Sequence, residues 1–233
     1  MGRQLKGLLY FFITDIRYSL LIFWTILLSI LVVSLAFAYF LTDVENGMMI
    51  LSLTGPMYVY CGILGFLTVK ESIPFSIKMG ATRKSVFVSL GIFFLAISLF
   101  MSTAASILQE IVKVLAEMTG VDTFSFLHLA YFVDNTWYTR ILIDTSVMFF
   151  FLALMFVVGL IFFRYGLAGG GSFLGVLVVL LLISIAKGWI VDFFINLFSE
   201  IDLAFFYQML GLGIVVYCIS FLFLRRITTV KVK

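Results

Sequence analysis

The sequence predicts an all-α protein that crosses a membrane several times. Of its 233 residues, 64% are hydrophobic and only 12% carry a charge. A soluble domain of this length could not bury so much apolar surface, so the composition indicates a polytopic membrane protein. The apolar runs are continuous, whereas the strands of a transmembrane barrel alternate between apolar and polar residues. Helices are therefore the predicted membrane-crossing elements.

Six uncharged windows reach or nearly reach the roughly 20 residues that a helix needs to cross a bilayer. We predict a single transmembrane domain over residues 1–233, with six spans at about 19–41, 48–69, 85–108, 141–163, 172–190 and 203–224. In the second span, Gly62 and Gly65 leave one side flat, which would let another helix approach closely. Glycines that are merely tolerated against lipid are the alternative.

The distribution of lysine and arginine predicts the orientation of the spans. With both termini in the cytoplasm, twelve of the 15 cationic residues lie on the cytoplasmic side, and only Lys113, Arg140 and Lys187 lie outside. The positive-inside rule counts cations alone, so this asymmetry decides the topology. We predict a multi-pass protein of the cell membrane with both termini and the connections 70–84 and 164–171 in the cytoplasm.

Residues 2–17 predict a basic amphipathic helix ahead of the first span. Apolar side chains recur at helical spacing on one face, and Arg3, Lys6 and Arg17 lie on the other. Such a helix suits the inner headgroup layer, and we expect it to lie along the membrane surface. An ordinary extension of the first span is the alternative.

Two amphipathic segments are expected on the outer side, at 109–135 and 191–202. In the second, an apolar face that contains Phe194, Leu197 and Phe198 opposes polar residues. We expect both segments to lie on the outer leaflet as lids that guard an exit.

The connection between the second and third spans, KESIPFSIKMGATRK at 70–84, predicts a short helix. Pro74 suits a first helical turn, and Gly80 can end the helix in the left-handed conformation. Thr82 can cap the third span, because its hydroxyl accepts hydrogen bonds from the first free N–H groups of a helix.

Several side chains of this connection predict a contact with a soluble partner. Three apolar ones would partly face water or headgroups in an isolated chain: Phe75, Ile77 and Met79. Lys78 and Arg83 can bind acidic groups of a partner or anionic lipid phosphates. Glu71, the only acid in the interval, is a candidate for a salt bridge to the partner. The alternative is a basic loop that only obeys the positive-inside rule.

These features together resemble the type-2 permease of ATP-binding-cassette (ABC) exporters. The shared features are a basic amphipathic N-terminal helix, six spans, a cytoplasmic helix between the second and third spans, and an amphipathic outer segment before the last. Residues 75–84, FSIKMGATRK, look like the slGaTRk segment common in small Gram-positive members. The likeness in topology covers the whole chain, whereas the likeness in residues covers only about 71–90.

The resemblance implies a coupling helix at about 73–79 that sits in a groove of a separate ATPase subunit. The implied ATPase-coupling residues are Glu71, Phe75, Ile77, Lys78, Met79, Gly80, Thr82 and Arg83. It also implies two copies of the ATPase and a second permease, identical or homologous, surrounded by membrane lipid. The chain has no ATPase motif, so we expect no enzymatic activity and no cofactor of its own, and ATP would be bound by the partner.

The implied function is export of an amphipathic or hydrophobic substrate, such as a peptide, driven by the partner's ATP hydrolysis. Two alternatives stay open: a non-transport membrane anchor or sensory subunit, and the six-span substrate-binding subunit of an importer. An intramembrane enzyme is disfavoured, because it would need paired catalytic groups at depth, and the sequence has one histidine, no charged pair in mid-span and no Ser/His arrangement. That histidine, His128, is expected at the outer interface, without a metal role because no second strong ligand lies nearby. No catalytic residue, metal site or nucleic-acid partner is predicted.

Overall fold

The computed structural model describes residues 2–42, 44, 47–120, 123–133, 135–192, 195 and 201–225. In chain order its helices are α1 (Gly2–Leu41), α2 (Thr54–Lys70), α3 (Ser72–Lys78), α4 (Arg83–Thr119), α5 (Trp137–Ala186) and α6 (Leu203–Leu224). Two short strands, β1 (Met49–Leu51) and β2 (Phe124–Phe126), and a 3₁₀ turn at Leu129–Phe132 complete the described elements.

Four of the helices, α1, α4, α5 and α6, are long and apolar enough to cross a membrane. The chain is therefore an all-α membrane protein, as predicted, with one small sheet added. The helix α5 has 50 residues, about 75 Å if straight, which is more than twice the thickness of a bilayer's hydrocarbon core. Gly166, with φ 70° and ψ −172°, interrupts its helical geometry inside the predicted 164–171 connection.

The N-terminal part of the chain differs from the prediction. Residues 2–17 do not form a separate surface helix, because α1 runs from Gly2 to Leu41 without a break. No glycine or proline follows Gly7 in this stretch, so nothing in the sequence ends the helix where the first span begins. The apolar face of its first turns packs on the bundle instead, with the ring of Phe12 5.6 Å from that of Phe93.

The segments expected as the start of the second span and as the first outer lid are also different. Residues 49–51 form a strand that pairs in parallel with 124–126, and α2 begins only at Thr54. Residues 109–119 continue α4, which ends at the left-handed Gly120, so this part of the expected lid is not an element separate from the third span. A short apolar run such as 49–51 is compatible with either a strand or a helix, and only the segment that it contacts in the folded chain decides between the two.

The core lies where α2, α4 and α6 pack against the first half of α5. The helices α2 and α5 approach closely at Gly65, where an added β-carbon would lie 2.4 Å from the carbonyl oxygen of Leu152. The predicted close approach is thus confirmed at Gly65. At Gly62 a β-carbon would meet Met155 at an ordinary 3.5 Å.

Candidate functional site

The predicted short helix between the second and third spans is α3. Pro74 lies in its first turn, Gly80 follows it with φ 82°, and the backbone N–H of Ser85 donates to the hydroxyl of Thr82 at 3.2 Å. All three local predictions are confirmed. A single residue, Glu71, separates α2 from α3, so no loop lies between the two helices.

The residues expected to contact a partner differ in exposure. Phe75 and Met79 are 47% and 55% exposed, although the Phe75 ring also stacks on Phe11 at 4.7 Å. Ile77 is half-buried and packs against the core, as does the fully buried Ile73. Ile77 therefore helps to hold α3 in place.

Charged side chains surround the two exposed apolar ones. Glu71 and Lys78 are exposed, and neither forms an ion pair within the part of the chain that the structure describes. We call the exposed set Glu71, Phe75, Lys78 and Met79 the handle surface. Its charges place it outside the hydrocarbon of the membrane.

Polar contacts tie this region to other helices. The Ser72 hydroxyl donates to the Asp15 carboxylate at 3.1 Å, which joins α3 to α1. The Arg83 guanidinium donates to the backbone oxygen of Arg225 at 2.5 Å, which joins α4 to the end of α6. Arg83, expected as a partner-binding residue, is thus engaged within the chain.

The three residues of the expected second lid, Phe194, Leu197 and Phe198, lie outside the described residues.

At the end of α2 remote from α3, three polar side chains meet inside the bundle. The Tyr58 hydroxyl donates to Oδ1 of Asp144 at 2.5 Å, and Nε2 of His128 lies 3.1 Å from Oδ2. His128 and Asp144 are only 3% and 1% exposed. Because Nδ1 of His128 accepts the backbone N–H of Ala130 at 2.9 Å, the ring proton resides on Nε2 and is donated to Asp144. We call Tyr58, His128 and Asp144 the buried cluster.

Both ring nitrogens of His128 are engaged, one by a carboxylate and one by a backbone N–H, so the ring has no free nitrogen to act as a base. Within the described part of the chain, no three His, Cys, Asp or Glu side chains are grouped as a metal site. The hydrogen bonds from Tyr58 and His128 therefore stabilise the Asp144 carboxylate, and the His128 ring is not positioned to take a proton from a nucleophile.

His128, expected at the outer membrane interface, is buried inside the protein at 3% exposure and contacts Asp144. The sequence gives no spacing rule that joins His128 to Asp144, because they are 16 residues apart and belong to different elements. Each residue could be singled out from the sequence by itself. An acid inside an apolar span is uncommon and points to function, and the same holds for a sole histidine in the segment that precedes that span.

No family model, curated protein or solved structure matches this chain. Two regions at opposite ends of α2 are the candidate functional sites of the chain: the handle surface and the buried cluster.

Proposed function

We propose that this chain is the transmembrane permease subunit of an ABC exporter and that a separate ATPase subunit binds the handle surface. The observation that carries the proposal is the pair of large apolar side chains, Phe75 and Met79, left half-exposed on a short helix among charges. Exposed apolar side chains in such a setting are most simply explained by a protein that covers them.

The way α3 is held supports a mechanical role. Its inner side is anchored by the buried Ile73, and its polar contacts reach α1 through Ser72. A force on the handle surface would therefore displace α2 and α1 together and would not simply bend a loop. ATP-dependent closure of the motor can drive such a shift if the motor's interaction with α3 differs between two states of the permease.

The proposed assembly has six spans, cytoplasmic termini, two permeases and two ATPases. The break at Gly166 supports counting α5 as two spans joined by a cytoplasmic turn. The half of α5 beyond this turn is exposed along its length, with Val176 and Leu182 both 60% exposed. That half is available to lipid or to the second permease. An apolar path between permeases suits a hydrophobic or amphipathic cargo.

The test produces the full chain in its native host with one affinity tag and measures how much ABC ATPase is recovered with it. The double variant Phe75→Ala with Met79→Ala should weaken the affinity for the ATPase at least about thirtyfold and so lower its recovery, because truncating one interface anchor costs about 2 kcal/mol or more. Met79 is preferred to Ile77 for this test, because Ile77 packs into the core.

A matched control is Leu115→Ala with Met118→Ala, two side chains of α4 that are 51% and 79% exposed at the other end of the bundle. This control should retain the ATPase. In liposomes the wild-type chain should also alter the ATPase's hydrolysis rate, whereas a passive anchor would bind the ATPase without changing it. Unchanged recovery and hydrolysis with the Phe75 and Met79 variant would contradict the proposal.

A further inference from the structure

A cavity of about 520 Å³ lies beside the buried cluster, at the end of the bundle remote from α3. Tyr58 and His128 form part of its wall, and most of the remaining wall is apolar, contributed by α5, α6 and the segment around the 3₁₀ turn. Its volume falls in the range of sites for small organic molecules. Phe132, 52% exposed, lies at its rim, so the cavity is reached from the surface of the bundle.

The wall of this cavity is unusually aromatic. Five of its lining residues carry six-membered rings: Tyr58, Phe132, Phe151, Phe205 and Phe206. The rings of Tyr58 and Phe151 are nearly parallel, at 15°, with centroids 6.5 Å apart. The faces of aromatic rings attract cations, and walls built from several rings are used to bind quaternary ammonium groups.

The charge behind this wall has the complementary sign. Asp144 accepts hydrogen bonds from two neutral donors, the Tyr58 hydroxyl and the Nε2–H of His128, so the buried cluster carries one negative charge. Arg140, one turn earlier on α5, is already ion-paired with Glu110. A negative charge buried without its own cation is costly, and a bound cation in the cavity would offset that cost.

We propose that this cavity binds a hydrophobic organic cation, with its apolar groups against Phe205, Phe206 and Met209 and its positive charge at the Tyr58 and His128 wall. Aromatic faces and the Asp144 charge both favour a cation over a neutral or anionic molecule of the same shape. The site does not depend on the proposed transport function, because binding is a property of the isolated chain.

The test measures equilibrium dialysis of two radiolabelled ions against the full chain in lipid nanodiscs, with empty nanodiscs subtracted. Tetraphenylphosphonium and tetraphenylborate have the same shape and opposite charge. We expect saturable binding of the phosphonium and binding of the borate at least about tenfold weaker, a difference of about 1.4 kcal/mol. Asp144→Asn should weaken phosphonium binding about tenfold and should not weaken that of the borate.

Two further variants keep the test decisive if Asp144→Asn does not fold. Phe205→Leu removes an aromatic face but keeps apolar volume, and Met209→Trp fills the cavity; both should weaken phosphonium binding. Tyr207→Trp, on the same helix but 52% exposed away from the cavity, is the matched control and should not. Equal binding of the two ions, or phosphonium binding unchanged by both Phe205→Leu and Met209→Trp, would overturn the proposal.

Discussion

The contact between α2 and α5 at Gly65 gives the sharpest test of the fold. A β-carbon at Gly65 would lie 2.4 Å from the Leu152 carbonyl oxygen and 3.1 Å from the carbonyl carbon. These are backbone atoms of a packed helix, so they cannot rotate away as a side chain would. In Gly65→Ala the two helices must separate or bend.

The expected magnitude follows from a comparison with Gly62→Ala, three residues earlier on the same helix. Both substitutions gain about 1 kcal/mol of helix propensity, so this contribution cancels in the difference. At Gly62 the nearest atom to an added β-carbon is Cγ of Met155 at 3.5 Å, an ordinary contact. Overpacking costs about 1–3 kcal/mol, so Gly65→Ala should be less stable than Gly62→Ala by that amount.

Thermal unfolding of the purified full chain in a mild detergent measures this difference. For a chain of this size 1 kcal/mol corresponds to about 2–4 °C, so Gly65→Ala should melt about 2–12 °C below Gly62→Ala. The three tryptophans provide a fluorescence signal. If the two variants melt within about 1 °C of each other, the close approach of α2 and α5 is wrong.

Two further predictions concern the buried cluster and the orientation. Tyr58→Phe removes one of the two donors to the Asp144 carboxylate, and it should lower the free energy of unfolding by about 1–3 kcal/mol. Tyr60→Phe, whose hydroxyl makes only a long, exposed 3.4 Å contact, should change it little, and equal melting temperatures would contradict this role for Tyr58. In a cysteine-free background, a cysteine at Lys78 should be labelled by a membrane-impermeant maleimide only after cell lysis, and one at Glu117 in intact cells. Labelling at position 78 in intact cells would show that the predicted orientation is wrong.

The parts of the fold that the sequence predicted correctly depend on local rules. Pro74, Gly80 and Thr82 specify the ends of α3 and the start of α4 through their own backbone preferences and hydrogen bonds, so no knowledge of the rest of the chain is needed. The handle surface could be located in the same way. Which of its apolar residues is exposed depends on packing, and Ile77 shows that a sequence pattern alone does not decide it.

The parts that were missed depend on contacts between distant residues. Met49 pairs with Phe124, which is 75 residues later in the chain, and an uncharged apolar run gives no sign of such a partner. His128 meets Asp144 only because the 3₁₀ turn packs against α5. Hydropathy also treats each window separately, so it cannot show that 2–41 is one helix or that Gly166 lies inside another.

The β1–β2 pair ties together two connections that are far apart in sequence. The backbone N–H of Met49 donates to the Thr123 oxygen at 2.7 Å, and that of Leu127 donates to the Leu51 oxygen at 3.0 Å, one beyond each end of the ladder. The pair therefore joins the chain ahead of α2 to the chain that follows α4, at the end opposite α3. A tilt of α2 about this fastening would displace its far end, which carries α3, more than any other part of the helix. Since α2 is about 25 Å long, a tilt of about 5° at this fastening moves α3 by about 2 Å.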